Sequence, residues 1–297
     1  MIPSKTADRL GGRDVLLATF VVVCWGLNYV AVKFSVAELP PLLTTALRFA
    51  IVAVAILPFS MPKREHLPAL ALLSLTMGSL HFGVLFYTMV RVDAATAAIV
   101  LQACVPFGVI LGAIFFHERI GLQRGAGILL GFGGVIVLAG EPGAGSEPLL
   151  IGMLLVAAMC WAVSSALFKV IPPIPSLTYI GGTALFAVPQ MLLASWLFED
   201  QQWAAMDAAS LRAWSGVAFS AVGASIIGHG LWYGLVQRHD LSLVVPFTLL
   251  APVIGVVSAV LILGENLGVE KIGGGVLTLL GVALIQFNWP RRRARAI

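Results

Sequence analysis

Residues 14–35, DVLLATFVVVCWGLNYVAVKFS, place 18 consecutive uncharged residues between Asp14 and Lys33. At roughly 1.5 Å per residue such a run, coiled as a helix, approaches the ~30 Å thickness of bilayer hydrocarbon. Lipid offers the backbone no hydrogen bonds, so only a helix or a closed barrel can span it. A barrel strand would show ~10 residues of strict apolar–polar alternation. The stretch LLATFVVVCW does not alternate, so it reads as a membrane-spanning helix.

Nine further runs of the same kind follow, at about 42–60, 67–89, 94–116, 122–140, 148–170, 177–198, 211–236, 242–263 and 269–289. Short connectors separate them, such as Met61–His66, Glu141–Glu147, Ile171–Ser176 and Glu199–Ser210. None is long enough for a separate soluble domain. The whole composition agrees: 59% of the 297 residues are hydrophobic and 11% charged, against roughly a quarter charged in soluble domains. The expected fold is all-α, a bundle of ten transmembrane helices in a lipid bilayer. The first run is too long, and too closely followed by others, for a cleaved signal peptide.

Charge sets the orientation. With the N-terminus inside, thirteen Lys and Arg fall on the cytoplasmic side and four (Lys33, Arg91, Arg212, Lys271) on the other. By the positive-inside rule both termini are cytoplasmic, as an even number of spans requires. The net charge of +4 then reflects cytoplasmic loops, and no nucleic-acid partner is expected. The closing RRRAR (291–295) reads as a membrane-surface anchor. Cys24, Cys104 and Cys160 lie inside apolar runs without metal spacing and read as packing thiols.

The first run also opens a repeat. CWGLNYVAVK (24–33) recurs as CWAVSSALFK (160–169). Arg91-Val-Asp93 recurs as Arg238-His-Asp240, and Glu118-Arg-Ile-Gly121 as Glu265-Asn-Leu-Gly268, with Arg124 matching Lys271. Three matches in one order map spans one to five onto six to ten. Five is odd, so the second unit enters from the opposite side. Two inverted five-helix repeats are a transporter architecture, with substrate bound near the midplane where the halves meet. The chain divides into a cytoplasmic segment 1–13, repeats at 14–140 and 148–289, and a basic tail 290–297.

The paired Cys-Trp motifs, Glu118 with Glu265, and the Gly-rich fifth and tenth spans resemble the drug/metabolite transporter superfamily, in its ten-helix, EamA-type branch. Within it the chain is similar to bacterial exporters of aromatic amino acids, which also lower sensitivity to the dication paraquat. The resemblance implies a multi-pass protein of the bacterial inner membrane, a monomer working by alternating access, ion-coupled or uncoupled. It implies no ATP-binding domain, and no G-x-x-x-x-G-K-[ST] loop occurs; with no HExxH, no Ser/His/Asp set and no paired intramembrane carboxylates, no enzymatic activity and no cofactor are expected.

Candidate binding residues are the polar and aromatic groups at membrane depth. All 14 acidic residues fall in termini, connectors or span ends; four-helix relatives carry a Glu in their first helix, where this chain has Trp25, Asn28 and Tyr29. His81 and His229 occupy equivalent spans; each is either a substrate donor or a neutral ring bonded to a neighbouring backbone. Asn28, Gln102, Ser165 and Thr248 are further polar candidates, although Ser and Thr often bond only their own helix. Trp161 and Tyr233 lie deep enough to stack on a planar substrate. Pro106 and Pro252, at nearly matching points of spans four and nine, are candidate hinges, since proline removes a helix hydrogen bond. Arg48, about six residues into the second span, reads as a side chain snorkelling to the interface. Glu118 and Glu265 read as loop anchors or gate ion pairs. A zwitterion brings its own charge pair and needs few fixed charges, so the expected substrates are aromatic and other hydrophobic neutral amino acids. The alternative is export of hydrophobic or cationic toxicants.

Overall fold

A computed structural model describes residues 10–140 and 147–287. The basic tail, most of the N-terminal segment and the connector core at 141–146 lie outside the described residues. Everything described is helix or connecting turn, with no strand. The long helices are α1 (Gly12–Val36), α2 (Pro41–Ile56), α3 (Arg64–Thr88), α4 (Ala94–Phe116), α5 (Leu122–Ala139), α6 (Pro148–Leu167), α7 (Ser176–Phe198), α8 (Leu211–Arg238), α9 (Val245–Leu263) and α10 (Val269–Gln286); two short ones, Gln202–Ala208 and Leu241–Val244, precede α8 and α9.

Nine of these are long and apolar enough to cross a membrane. The exception is α2, with 16 residues, or roughly 24 Å of rise. Prolines set its limits. Pro41 occupies the first turn, where its missing N–H costs nothing, and Pro58 follows two residues after Ile56. Carboxylates from elsewhere in the chain serve helix starts. Glu199, after α7, accepts from the backbone N–H of Leu42 (2.6 Å) and Leu43 (3.0 Å) of α2. Glu38 accepts from the N–H and hydroxyl of Ser210, both at 2.7 Å, and Ser210 caps α8.

Without a hydrophobic force between helices in lipid, close packing comes from small residues. Helices α5 and α10 pack most extensively, backbone against backbone. A Cβ on Gly127 would lie 2.7 Å from the carbonyl oxygen of Gly281, and one on Gly274 would lie 2.5 Å from that of Gly134. Helix α1 is gripped similarly, by α9 at Gly26 and by α8 at Gly216, where a Cβ would run into the Ala31 carbonyl.

Packing between the two halves follows a pattern. Helix α1 packs on α8 and α9, and α6 packs on α3 and α4; α2 meets α7, α4 meets α9 and α5 meets α10. Exchanging each helix for the one five places on leaves this set unchanged.

The α5–α10 seam gives a direct test. Gly134→Val and Gly274→Leu should each lower stability by about 1–3 kcal/mol through overpacking. Gly133→Ala and Gly273→Ala, where a Cβ meets nothing within 4 Å, should not lower it. Thermal unfolding of detergent-purified protein followed by size exclusion reads the difference.

Candidate functional site

A cavity of about 610 Å³ lies between the halves, walled by α1, α3, α4, α6, α8 and α9 with single contributions from α2, α7 and α10. Asn28, His81, Gln102, Trp161, Ser165, His229, Tyr233 and Thr248 all line it. Of the two candidate hinge prolines, Pro252 lines it as well, while Pro106 is buried against Gly131 of α5.

Local irregularity in the helices brings these residues to the wall. Helix α3 is π-helical over Ser74–His81 and α8 over Phe219–His229, so each histidine is the last residue of a widened stretch. Such widened turns expose extra backbone and recur at functional sites. His81 Nδ1 is 2.8 Å from the Ala157 carbonyl of α6, and His229 Nδ1 is 2.9 Å from the Ala224 carbonyl of its own helix. A carbonyl only accepts, so Nδ1 carries the proton in both, and the neutral ring keeps Nε2 as an acceptor. The backbone bond and the place in the cavity wall therefore coexist.

The prolines act one turn back. Pro106 and Pro252 have no N–H to offer the carbonyls of Gln102 and Thr248, four residues earlier. Both helices tighten there into 3₁₀ turns, at Leu101–Ala103 and Val245–Leu249. Gln102 and Thr248 thus stand at matching loosened points on opposite walls. The Thr248 hydroxyl donates to the Val245 carbonyl at 2.7 Å and that of Ser165 to the Trp161 carbonyl at 2.9 Å. Thr248 Oγ1 also accepts from Gln286 Nε2 at 3.4 Å, whereas the Ser165 oxygen keeps its lone pairs. Asn28 Oδ1 is buried without a partner.

Aromatic rings form the rest of the wall. Trp25 contacts His229 and Trp232, both at 5.2 Å between centroids, and donates Nε1–H to the Ala224 carbonyl at 3.3 Å. Trp161 stands edge-on to His81 at 4.9 Å. Tyr179 of α7 meets Tyr233 at 5.6 Å; nothing in its sequence surroundings marks Tyr179 as a wall residue.

Arg48 corrects the sequence-based expectation. Its side chain does not snorkel: the residue is 1% exposed and lines the cavity. Helix α2 is enclosed by α7, α3 and α8, which turns Arg48 inward.

The two ends of the cavity differ. At one end the wall residues Leu85, Met89 and Leu101 are 4%, 0% and 6% exposed, beneath a polar lock. Glu265 accepts from the N–H groups of Ala94 (2.7 Å) and Ala95 (3.0 Å) at the start of α4, Lys271 pairs with Asp93 at 2.8 Å, and Lys33 donates to the carbonyls of Met89 and Val92. At the other end the counterpart of Glu265 has a different partner. Glu118 pairs with Lys169 at 2.7 Å, with side chains 42% and 56% exposed, and Phe168 and Val236 form a partly open rim. The Lys169 ammonium holds the Glu118 carboxyl below the usual carboxylate range.

The model of the EamA-like transporter family matches residues 13–140 and again 149–287. A protein of Salmonella typhimurium named "Probable amino-acid metabolite efflux pump" is 33% identical over 96% of this chain and 98% of its own length. One of the same name from Escherichia coli is 32% identical over 95% and 97%. A solved crystal structure superposes with a TM-score of 0.63 at 22% identity, over 92% of this chain and 96% of its own, which shows the fold. With both halves matched and the cavity between them, the chain belongs to the EamA-like transporter family of the drug/metabolite transporter superfamily and is a multi-pass membrane protein.

Proposed function

We propose that this protein exports aromatic and other hydrophobic neutral amino acids across the bacterial inner membrane by alternating access between two inverted five-helix repeats, both termini cytoplasmic. The observation that carries it is the cavity, walled by tryptophans and tyrosines, with neutral polar groups, one arginine and no acidic residue among the described lining. An aromatic wall suits an apolar side chain, and a zwitterion supplies its own charges. The names of the two relatives support an amino-acid cargo. A cationic toxicant would meet the positive charge of Arg48 and no carboxylate among the described lining residues.

The five-helix exchange that maps most of the packing between the halves onto itself, the contact of α10 with α4 excepted, supports the inverted repeat. With Lys and Arg concentrated on the cytoplasmic side, the locked end faces outward and the rim at Phe168 faces the cytoplasm. By the same symmetry, the opposite state would carry Glu118 onto the backbone N–H groups of residues 241 and 242, which correspond to Ala94 and Ala95.

Counterflow with purified protein in liposomes tests the substrate. Internal phenylalanine or leucine, but not aspartate, should drive uptake of trace labelled phenylalanine; vesicles loaded with buffer alone should show none. Absence of counterflow with every neutral amino acid would overturn the reading.

Glu265 tests the lock. A charge-assisted hydrogen bond contributes about 1.5–3 kcal/mol, so Glu265→Gln should raise the outward-open population about tenfold or more. In a background lacking the native cysteines, Met89→Cys should be nearly inert to a membrane-impermeant thiol reagent. Adding Glu265→Gln should raise its labelling rate by that factor, while Ser165→Cys at the open end becomes less reactive.

A further inference from the structure

Arg48 Nε donates to Ser225 Oγ at 3.0 Å, while Nη1 is buried with no hydrogen-bond partner. The guanidinium lies 4.0 Å from the Phe82 ring centroid and 5.6 Å from those of Phe49 and Phe86. Aromatic faces stabilise a cation but offer its N–H groups only weak N–H···π contacts. Ser225 Oγ is already committed as donor to the Ser220 carbonyl at 2.8 Å. Among the described lining residues Arg48 is the only Asp, Glu, Lys or Arg, so no protein carboxylate there answers it. A buried cation with open donors at membrane depth is costly unless an anion reaches it.

Its neighbours tell which anion. Phe82, under the guanidinium, is in ring contact with His81 at 4.6 Å, and Ser225 lies one helical turn before His229 on α8. Both imidazoles, each left with Nε2 as an acceptor, lie within the electrostatic reach of the guanidinium. An acceptor for an ammonium, beside a planar donor for a carboxylate, matches the two charged groups on one α-carbon.

We propose that Arg48 is the carboxylate anchor of the substrate site, receiving the α-carboxylate of a zwitterionic amino acid, while His81 and His229 accept from its ammonium and the Trp161 and Tyr233 rings receive its side chain. This rests on the amino-acid reading above and adds the group that recognises the substrate's charge. Guanidinium and carboxylate meet through two parallel hydrogen bonds. Nη1 is covered in this conformation, so engagement includes a rotation of the guanidinium toward the cavity it already lines.

The test is competition against labelled leucine counterflow in liposomes, with phenylalanine, phenylalanine amide, which lacks the carboxylate, and 3-phenylpropionate, which lacks the ammonium. For the unmodified protein the amide should compete about tenfold or more weakly than phenylalanine, and 3-phenylpropionate should still compete. Arg48→Gln should weaken phenylalanine by about that factor and change the amide less than about twofold, with Arg48→Lys between. Equal competition by amide and phenylalanine in the unmodified protein overturns the proposal and needs no variant to fold. Arg48→Gln lowering both competitors alike overturns it too, assigning Arg48 to packing. Leucine counterflow that is absent altogether strikes the amino-acid reading itself, a result distinct from both.

Discussion

A positive charge held between the halves of the bundle, with aromatic rings around it and one hydroxyl on it, constrains much of this structure. Arg48 reaches Phe82 and Phe86 of α3 and Ser225 of α8, so it touches both halves from the short helix α2. In lipid the alternative to an internal partner is an unsolvated ion. The elements that enclose Arg48 must therefore keep it beside a polar space. That requirement agrees with the short α2, fixed at its start by Glu199, and with the enclosure of its inner face by α7, α3 and α8.

The same solvent explains where the backbone departs from regular helix. Freed carbonyls and widened turns facing hydrocarbon would go unsatisfied, so irregular backbone is tolerated where it is buried in protein or lines a cavity. The π stretches that end at His81 and His229, and the tightened turns at Gln102 and Thr248, all deliver a residue to the cavity wall. On the buried side, Gln190 of α7 ties down the side chains of the π stretch. It accepts from Ser79 and donates to Ser74, both within the π stretch of α3.

Much of this was legible in the residues. Apolar runs bounded by charge and proline placed the helices to within a few positions, because length and hydropathy determine what crosses a bilayer. The repeat then marked which polar residues share an inner face, and the eight candidates do line one cavity. Arg48 was misjudged for a physical reason. Counting from a span's start gives depth, and at six residues depth alone resembles a snorkelling side chain. What decides is the direction the side chain faces around the helix, which depends on neighbours from α3, α7 and α8, those of α7 and α8 more than a hundred positions away. Tyr179 escaped notice likewise, and the π stretches have no compositional mark. Pro106 and Pro252 were visible as breaks, but their effect falls four residues earlier, on the carbonyls of Gln102 and Thr248.

The lock at the closed end shows how two states of such a protein can be close in energy. Glu265 satisfies two N–H groups at the start of α4, while its counterpart Glu118 satisfies the ammonium of Lys169. Lys169 corresponds in the repeat to Lys33, which lies within the electrostatic reach of Glu265. Under the proposed alternating access the roles exchange: Glu118 moves onto the start of α9, and Glu265 falls back on Lys33. Each carboxylate then has a partner in both states, a helix terminus in one and a lysine in the other. Neither conformer has to leave a carboxylate without a partner. The preference for one over the other is thereby reduced to the difference between similar terms, small enough for substrate in the cavity to decide.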